Sequence, residues 1–399
     1  MVHRAHCHPA RTAVASPTRF RFILFWVIVS LQTTCCGGAW LAKGVRVALS
    51  ARRRHRFGEV LFAFCPTAAS GRLRGMMEMS NTPGEVAADH ISWVDTEESA
   101  SALVRKYDNF VFDCDGVLWA GSHDIEGSID TVKALRRAGK RTFFVTNNAS
   151  KSRRQYCLKL EGFGVSGVGV EDIVTSGSAL AAYVKRAHPD VHTVYMIGEN
   201  GQGEELEMAG FKIAKETTRP PVGMTEDEFR VFEPNPEVGA VVVGLDTSFG
   251  FRQLCAASTY IQRGAHFVGT NPDIADRVGD LLMPGTGPLL ASIQTASGVA
   301  PVVVGKPNPL LLHQLMDLNG LDPSSTVMVG DRLDTDIKFG NAAGVSSALV
   351  LTGVSEAADV VGLPADGEKT PTYLMEKLAF LLSAAEAAAT KAPQSSAFL

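Results

Sequence analysis

Residues 109–117 read NFVFDCDGV: a short apolar run, then Asp113 and Asp115 flanking Cys114, then a glycine. An aromatic and β-branched run that stops at polar residues and Gly reads as a strand, here Asn109–Phe112, with a turn after it. The same punctuation recurs outward along the chain. Arg141–Val145 runs into Thr146-Asn147-Asn148, and Ile173–Thr175 is a third strand. Much later Pro301–Val304 runs into Gly305-Lys306-Pro307, Thr326–Val329 into Gly330-Asp331, and Ser347–Leu351 into Thr352-Gly353. Between the first two strands, Ile129–Ala138 has helical spacing and stops at Gly139, a residue suited to ending a helix. Continuous apolar strands alternating with helices predict an α/β fold, a doubly wound parallel sheet covered on both faces.

The segment 183–299 has strands of its own at Thr193–Ile197, Ala240–Leu245 and Ala265–Val268, and is rich in Pro and Gly around 219–236 and 284–288. The expected organisation is a core domain formed by 100–182 and 300–383, interrupted by an inserted α/β domain at 183–299. Residues 1–99 are expected to be a leader, and 384–399 a frayed, Ala-rich and then polar tail.

At 399 residues, 45% hydrophobic and 20% charged, the chain can bury one large or two ordinary cores. Its net charge of −4 is unevenly spread. Residues 1–75 hold twelve Lys/Arg and a single acid, Glu59, so this stretch carries +11 against −15 for the rest. An acidic body offers no footprint for nucleic acid, which binds a basic face. Of seven cysteines, Cys114, Cys157 and Cys255 lie in the body, far apart and without ligand-like spacing. A disulfide framework or structural zinc site is therefore not expected.

Residues 20–31, FRFILFWVIVSL, follow basic residues and precede the small-residue stretch Cys35–Ala39, the layout of a signal peptide. The run is too short for a stable membrane span, which needs about 20 apolar residues. Lys43–Arg74 is arginine-rich in the manner of an organellar transit peptide. The two parts together predict import into a plastid-type organelle. The alternatives are a signal anchor, or a cytoplasmic protein beginning at Met76, Met77 or Met79.

In a doubly wound sheet, ligands bind beyond the carboxyl ends of the strands. Here those ends carry Asp113 and Asp115, Thr146 and Asn147, Lys306, and Asp331 with Asp336. Taken singly, each has an ordinary reading: a calcium loop, a turn, a surface lysine, a helix N-terminus. In conjunction they converge on one edge. Three acids there suit Mg²⁺, which prefers hard oxygen donors, and a lysine and hydroxyl would neutralise phosphoryl oxygens. Asp113 can then attack phosphorus as a nucleophile. Asp115 can protonate the leaving alkoxide and later deprotonate water.

These residues resemble the haloacid dehalogenase superfamily, whose four signatures match as Asp113-Cys114-Asp115-Gly116-Val117, Thr146-Asn147-Asn148, Lys306, and Gly330-Asp331 with Asp336. The strings VTNNASKSR, VGTNPD, PGTGPL, VGKPNP and VMVGDRLDTDI are similar to its phosphoglycolate phosphatase/4-nitrophenylphosphatase branch, which includes NagD-like enzymes. The resemblance covers about residues 100–382. It implies a Rossmann-like core with an inserted C2-type cap, an aspartyl-phosphate on Asp113, and Asp115 as acid/base. It implies Mg²⁺ held by Asp113, the Asp115 main-chain carbonyl and Asp331, with Asp336 supporting. It also implies phosphoryl contacts from Thr146, Asn147, Asn148 and Lys306, and a homodimer formed through the cap. Asp115 speaks against a dehalogenase, which lacks the second acid. Cys114 reads as packing inward.

Substrate choice falls to the cap, where Asn271, Asp273 and Arg277 are the candidate specificity residues. Arg277 is suited to a substrate carboxylate such as that of 2-phosphoglycolate. The pyridoxal phosphate-selective members carry a histidine in this region, and none lies between Thr270 and Gly287. The expected partner is thus a small phosphorylated metabolite. Pyridoxal phosphate or a broad sugar/nucleotide range is the alternative, and a phosphoprotein phosphatase or non-catalytic binding module is the reading of another class.

Overall fold

The computed structural model describes residues 90–214, 223–278 and 281–391; most of the leader, residues 1–89, lies outside them, as do 392–399. The chain begins with β1 (Ser92–Trp93), α1 (Glu97–Lys106), β2 (Asn109–Phe112), and a hairpin of β3 (Trp119–Ala120) and β4 (His123–Asp124). Then come α2 (Ser128–Arg137), β5 (Arg141–Thr146), α3 (Arg153–Gly162), β6 (Ile173–Thr175) and α4 (Ser176–Ala187). The inserted part holds β7 (Thr193–Ile197), α5 (Asn200–Met208), β8 (Lys212–Ala214), α6 (Glu226–Arg230), β9 (Val238–Val243), α7 (Phe251–Gln262) and β10 (His266–Gly269). It continues through the hairpin β11 (Ala275–Val278) and β12 (Leu281–Pro284) to α8 (Thr286–Ser297) and β13 (Val302–Val303). The chain closes with α9 (Leu310–Asn319), β14 (Thr326–Gly330), α10 (Lys338–Ala342), β15 (Ser346–Val350), β16 (Tyr373–Met375) and α11 (Leu382–Lys391).

Seven strands form one sheet in the order β1-β16-β15-β14-β2-β5-β6, every pairing parallel. Parallel neighbours need crossover connections, and these place helices on both faces. Side chains alternate along a strand, so Phe110 and Phe112 pack with α1, α2 and α11 while Val111 faces α4 and α9 on the other side. Truncating a buried phenylalanine such as Phe112 to Ala would cost about 3–5 kcal/mol. The second cluster continues through α4 and α9 into Val194, Ala240, Val242 and Val268 of the second sheet. That sheet, the cap, has the order β13-β10-β9-β7-β8, also parallel throughout. Its far face is covered by α7 and α8.

Three boundaries differ from the sequence reading. Residues 91–99 are not leader: β1 pairs with β16, and Thr96 caps α1 by accepting from Ser99 N–H. Ala384 and Ala385 are buried on α11, which packs against α2 and α1, where a frayed tail was expected. Alanine is the best helix former and its small side chain permits close packing. Most consequentially, Val302–Val303 does not resume the core sheet. It pairs with β10 in the register Val268↔Val302 and Gly269↔Val303. The connection β10–α8–β13 keeps consecutive parallel strands adjacent, and α8 lies on α7 of the cap. Lys306 therefore leaves the edge of the cap sheet. Among the described residues, no helix is long and apolar enough to cross a membrane.

Candidate active site

β2 delivers Asp113 at its carboxyl end, still bound to the sheet by its N–H donating to Val329 O at 2.9 Å. The chain then turns at Gly116, whose φ of +89° is a left-handed conformation that disfavours a side chain. Gly116 N–H bonds Trp119 O, and the Trp119 indole N–H donates to Asp115 Oδ1 at 3.0 Å. Trp119 is itself fixed by stacking on Tyr156 and Phe163, with the Lys159 ammonium 3.7 Å from its ring centre. Asp115 is thus exposed and aimed by an indole. Cys114 is fully buried, and burial pushes its thiol well up, leaving it protonated and unreactive.

Asp113, Lys306, Asp331 and Asp336 meet in one buried cluster, at 6%, 3%, 2% and 1% exposure. Lys306 Nζ donates to Asp113 Oδ1 at 2.5 Å and to Asp336 Oδ1 at 2.7 Å, and lies 3.4 Å from Val145 O. Burial alone would lower the lysine, but the two carboxylates outweigh it and hold the ammonium well above its usual range. Burial pushes Asp113 up, Lys306 opposes that, and the charges of Asp336 and Asp331 add to it. Burial and then Asp336 push Asp331 up to about 7, against an opposing hydrogen bond from Val354 N–H. Three carboxylates facing one ammonium leave an excess of negative charge in a low-dielectric site.

A divalent cation fits that excess. Carboxylate oxygens of Asp113, Asp331 and Asp336 lie within 4.8 Å of one another. Asp331 Oδ1 is buried without a hydrogen-bond partner, while its Oδ2 accepts from Val354 N–H at 2.8 Å. Asp336 is already engaged: Oδ2 accepts from the N–H groups of Asp331 and Arg332 at 3.2 and 3.1 Å, and Oδ1 from Lys306. Asp113 and Asp331 would therefore hold the ion, with Asp336 orienting Lys306 and the Asp331 backbone. An all-oxygen donor set suits a hard cation.

Sequence reasoning missed the support beneath Asp331. Thr352 Oγ1 donates to Gly116 O at 2.6 Å, Ser355 N–H bonds Asp331 O, and a Cβ on Gly353 would overlap Asp331 Oδ2. The available signal was Thr352-Gly353 at the end of β15, the same edge as the other motifs. Trp119 carried no such signal.

The remaining candidates divide. Thr146 is buried, its hydroxyl accepting from Asn148 N–H at 3.1 Å. Asn148 is exposed, and its carboxamide oxygen accepts from Ser150 N–H and hydroxyl. Asn147 bonds the Lys306 main chain and the Asp273 carboxylate. Asn271 Nδ2 donates to Asn147 O at 2.8 Å. Arg277 falls in β11, and its side chain lies outside the described residues.

Residues 110–212 match the family model of haloacid dehalogenase-like hydrolases, and 303–381 the HAD-hydrolase-like model. The chain is 40% identical over 265 residues to phosphoglycolate phosphatase 1A, chloroplastic, of Arabidopsis thaliana, covering 65% of this chain and 72% of that protein. It is 36% identical over 299 residues to glycerol-3-phosphate phosphatase of Gallus gallus, covering 72% and 95%. Among solved structures, glycerol phosphate phosphatase from Mycobacterium tuberculosis in complex with magnesium superposes with a TM-score of 0.60 at 30% identity, over 73% of this chain and 81% of that one. With the acids and lysine of its strand ends gathered as described, the chain belongs to the haloacid dehalogenase-like hydrolases and is a phosphoric monoester hydrolase.

Proposed function

We propose that the protein is a Mg²⁺-dependent phosphatase of a small phosphorylated metabolite, with 2-phosphoglycolate the favoured substrate. The observation that carries the reading is the Lys306 ammonium held between Asp113 and Asp336 beside an unpartnered Asp331 oxygen. Asp113 attacks phosphorus through a carboxylate oxygen, giving an aspartyl-phosphate as the ester oxygen departs. Asp115, aimed by Trp119, gives that oxygen a proton and then takes one from the water that attacks the acyl-phosphate. Lys306 favours the ionised form of Asp113 against its burial and neutralises a phosphoryl oxygen. Asp113, the Asp115 main-chain carbonyl and Asp331 would hold Mg²⁺, which when bound would further neutralise the phosphoryl group. Thr146 and Asn148 supply contacts to it from the end of β5.

Hydrolysis of 4-nitrophenyl phosphate, with and without chelator and in Asp113→Asn, tests the chemistry. Activity that survives either treatment sinks it. The substrate reading is supported by the names of the two curated relatives, both enzymes of short-chain phosphate esters. Comparing kcat/KM for 2-phosphoglycolate, glycerol 3-phosphate and pyridoxal phosphate tests it; a spread below about tenfold leaves a broad phosphatase instead.

The inserted domain acts as a C2-type cap, and two chains pair through it. Ile274, Leu281 and Leu282 of its hairpin region are 77%, 75% and 68% exposed, an apolar surface of the kind a partner covers. A monomeric elution of the full chain would rule out the pair. The chloroplastic relative supports plastid import by the leader; a fluorescent fusion of residues 1–75 that stays cytosolic would remove it.

A further inference from the structure

We propose that Asn147 is a positioning residue, a latch that ties the cap loop and the main chain of Lys306 to the end of β5, so that the cap's seating sets where the Lys306 ammonium stands. The inference rests on the phosphatase reading above. Its ground is the use made of one side chain. Asn147 Oδ1 accepts from Lys306 N–H at 2.8 Å, and Nδ2 donates to Lys306 O at 3.1 Å. The amide group thereby grips the lysine's main chain as a strand neighbour would. Nδ2 also donates to both oxygens of Asp273, at 3.1 and 3.3 Å. Two N–H groups serve these three acceptors, so the amide holds no donor in reserve for a phosphoryl oxygen. This places the side chain in a different role from the phosphoryl contact expected of it.

The grip extends into the cap. Asn147 O accepts from Asn271 Nδ2 at 2.8 Å and from the Ser176 hydroxyl. Asn271 Oδ1 in turn accepts from Asp273 N–H at 3.1 Å. Gly305 N–H bonds Thr270 O at 2.7 Å, so the loop after β10 and the loop carrying Lys306 are joined directly as well. Beyond Asp273, Gly287 N–H bonds Asp273 O and Gly285 N–H bonds Ile274 O, linking the β11–β12 hairpin to the same loop. A continuous set of contacts thus runs from the hairpin through Asp273 and Asn147 to Lys306, and from Lys306 to Asp113. Because Lys306 leaves a strand of the cap sheet, a shift of that sheet moves the ammonium relative to Asp113 unless something on the core holds it. On the core side Asp336 holds the ammonium itself, and Asn147 holds the lysine's main chain and the cap loop together, so that the ammonium stands in place when the cap is seated. A displacement of about 1 Å in such a group can cost about 100-fold in rate.

The test separates positioning from phosphate binding. Asn147→Ala, Asp273→Ala and the double variant are compared on 4-nitrophenyl phosphate, with inorganic phosphate as competitive inhibitor. Expected for Asn147→Ala is a kcat loss of about 30- to 100-fold, with the phosphate inhibition constant within about threefold of the parent. Asp273→Ala alone should lose about fivefold, and the double variant should match Asn147→Ala, since both break one connection. A phosphate inhibition constant that weakens in step with kcat, or losses that multiply in the double variant, would overturn the latch. Asn147→Ser serves the same comparison if Asn147→Ala does not fold. Amide hydrogen exchange at Thr270–Asp273 and Gly305–Lys306 gives a second readout, which should rise in the variant. If the parent enzyme hydrolyses no phosphate ester, the phosphatase reading fails, and hydrogen exchange alone decides the latch: unchanged exchange rejects it.

Discussion

Asp113, Lys306, Asp331 and Asp336 are at most 6% exposed, whereas Ile274, Leu281 and Leu282 of the cap hairpin region are at least 68% exposed. The first group is over-determined. Each charge there is held by another charge or a backbone N–H, and a change to one alters the ionisation of the rest. Ile274, Leu281 and Leu282 face solvent, and on the reading proposed above they are constrained mainly by what they would touch in a substrate or a partner. If the cap sets substrate choice as proposed, chemistry resides where replacement is costly and recognition where it is cheap. A substitution in the cluster should therefore damage every substrate alike, and one in the hairpin should shift the ratio between substrates.

The severest way to break this contrast is Lys306→Met. It removes the ammonium and leaves three carboxylates facing one another, so kcat should fall at least about 10³-fold for every ester tested. Urea unfolding of the Mg²⁺-free protein should show a loss of about 3–5 kcal/mol, reduced if Asp113 escapes by taking a proton. A loss confined to one substrate would dissolve the distinction between core and cap. Gly353→Ala comes next. Its methyl would overlap Asp331 Oδ2 without touching the nucleophile, so the half-saturating Mg²⁺ concentration should rise roughly 10- to 100-fold. Saturating Mg²⁺ should restore much of the rate.

The same contrast explains what could be read from the chain beforehand. Strand ends bearing Asp113, Thr146, Lys306 and Asp331 were legible in conjunction: each alone has an ordinary reading, but one apolar run after another ending in a polar or charged group has few physical uses. The core strands were legible for the same reason. Val302–Val303 was not, since a two-residue apolar segment carries no mark of which sheet it will join. Nor was the engagement of Asn147 by Lys306 and Asp273, residues 159 and 126 positions away; no local pattern encodes a contact of that range. The helix at 97–106 was missed although Thr96 precedes an acidic first turn, Glu97 and Glu98, a start signal present in the sequence.

A smaller effect concerns pH. Burial and Asp336 raise Asp331 to about 7 in the folded chain from an ordinary value of 3.8. The folded state therefore holds this proton more tightly than the unfolded one. The stability it contributes is complete below about pH 3.8 and is lost as pH rises through about 7, with a slope of up to roughly 1.4 kcal/mol per unit. Without metal, the melting temperature should fall between pH 5.5 and 8. Added Mg²⁺ should remove most of that fall, because a cation at Asp113 and Asp331 favours their ionised forms. Equal pH slopes with and without Mg²⁺ would mean that the cluster is not where the ion binds.

The smallest effect is expected at Ile274, 77% exposed and next to Asp273. Replacing it by Ser removes apolar surface already in water, so folding stability should move by no more than about 0.5 kcal/mol. Asp273 keeps its own contacts to Asn147, and kcat on 4-nitrophenyl phosphate should stay within about twofold. What should change is discrimination: the ratio of kcat/KM for 2-phosphoglycolate to that for 4-nitrophenyl phosphate should shift by about three- to tenfold. That range is what one apolar contact made or lost against an aromatic leaving group supplies. An unchanged ratio would move substrate choice away from this hairpin and back toward the strand ends. A fall in kcat shared by all substrates would mean instead that the hairpin acts on Lys306 through Asp273 and Asn147, so that reaction and recognition are one unit on this side of the molecule.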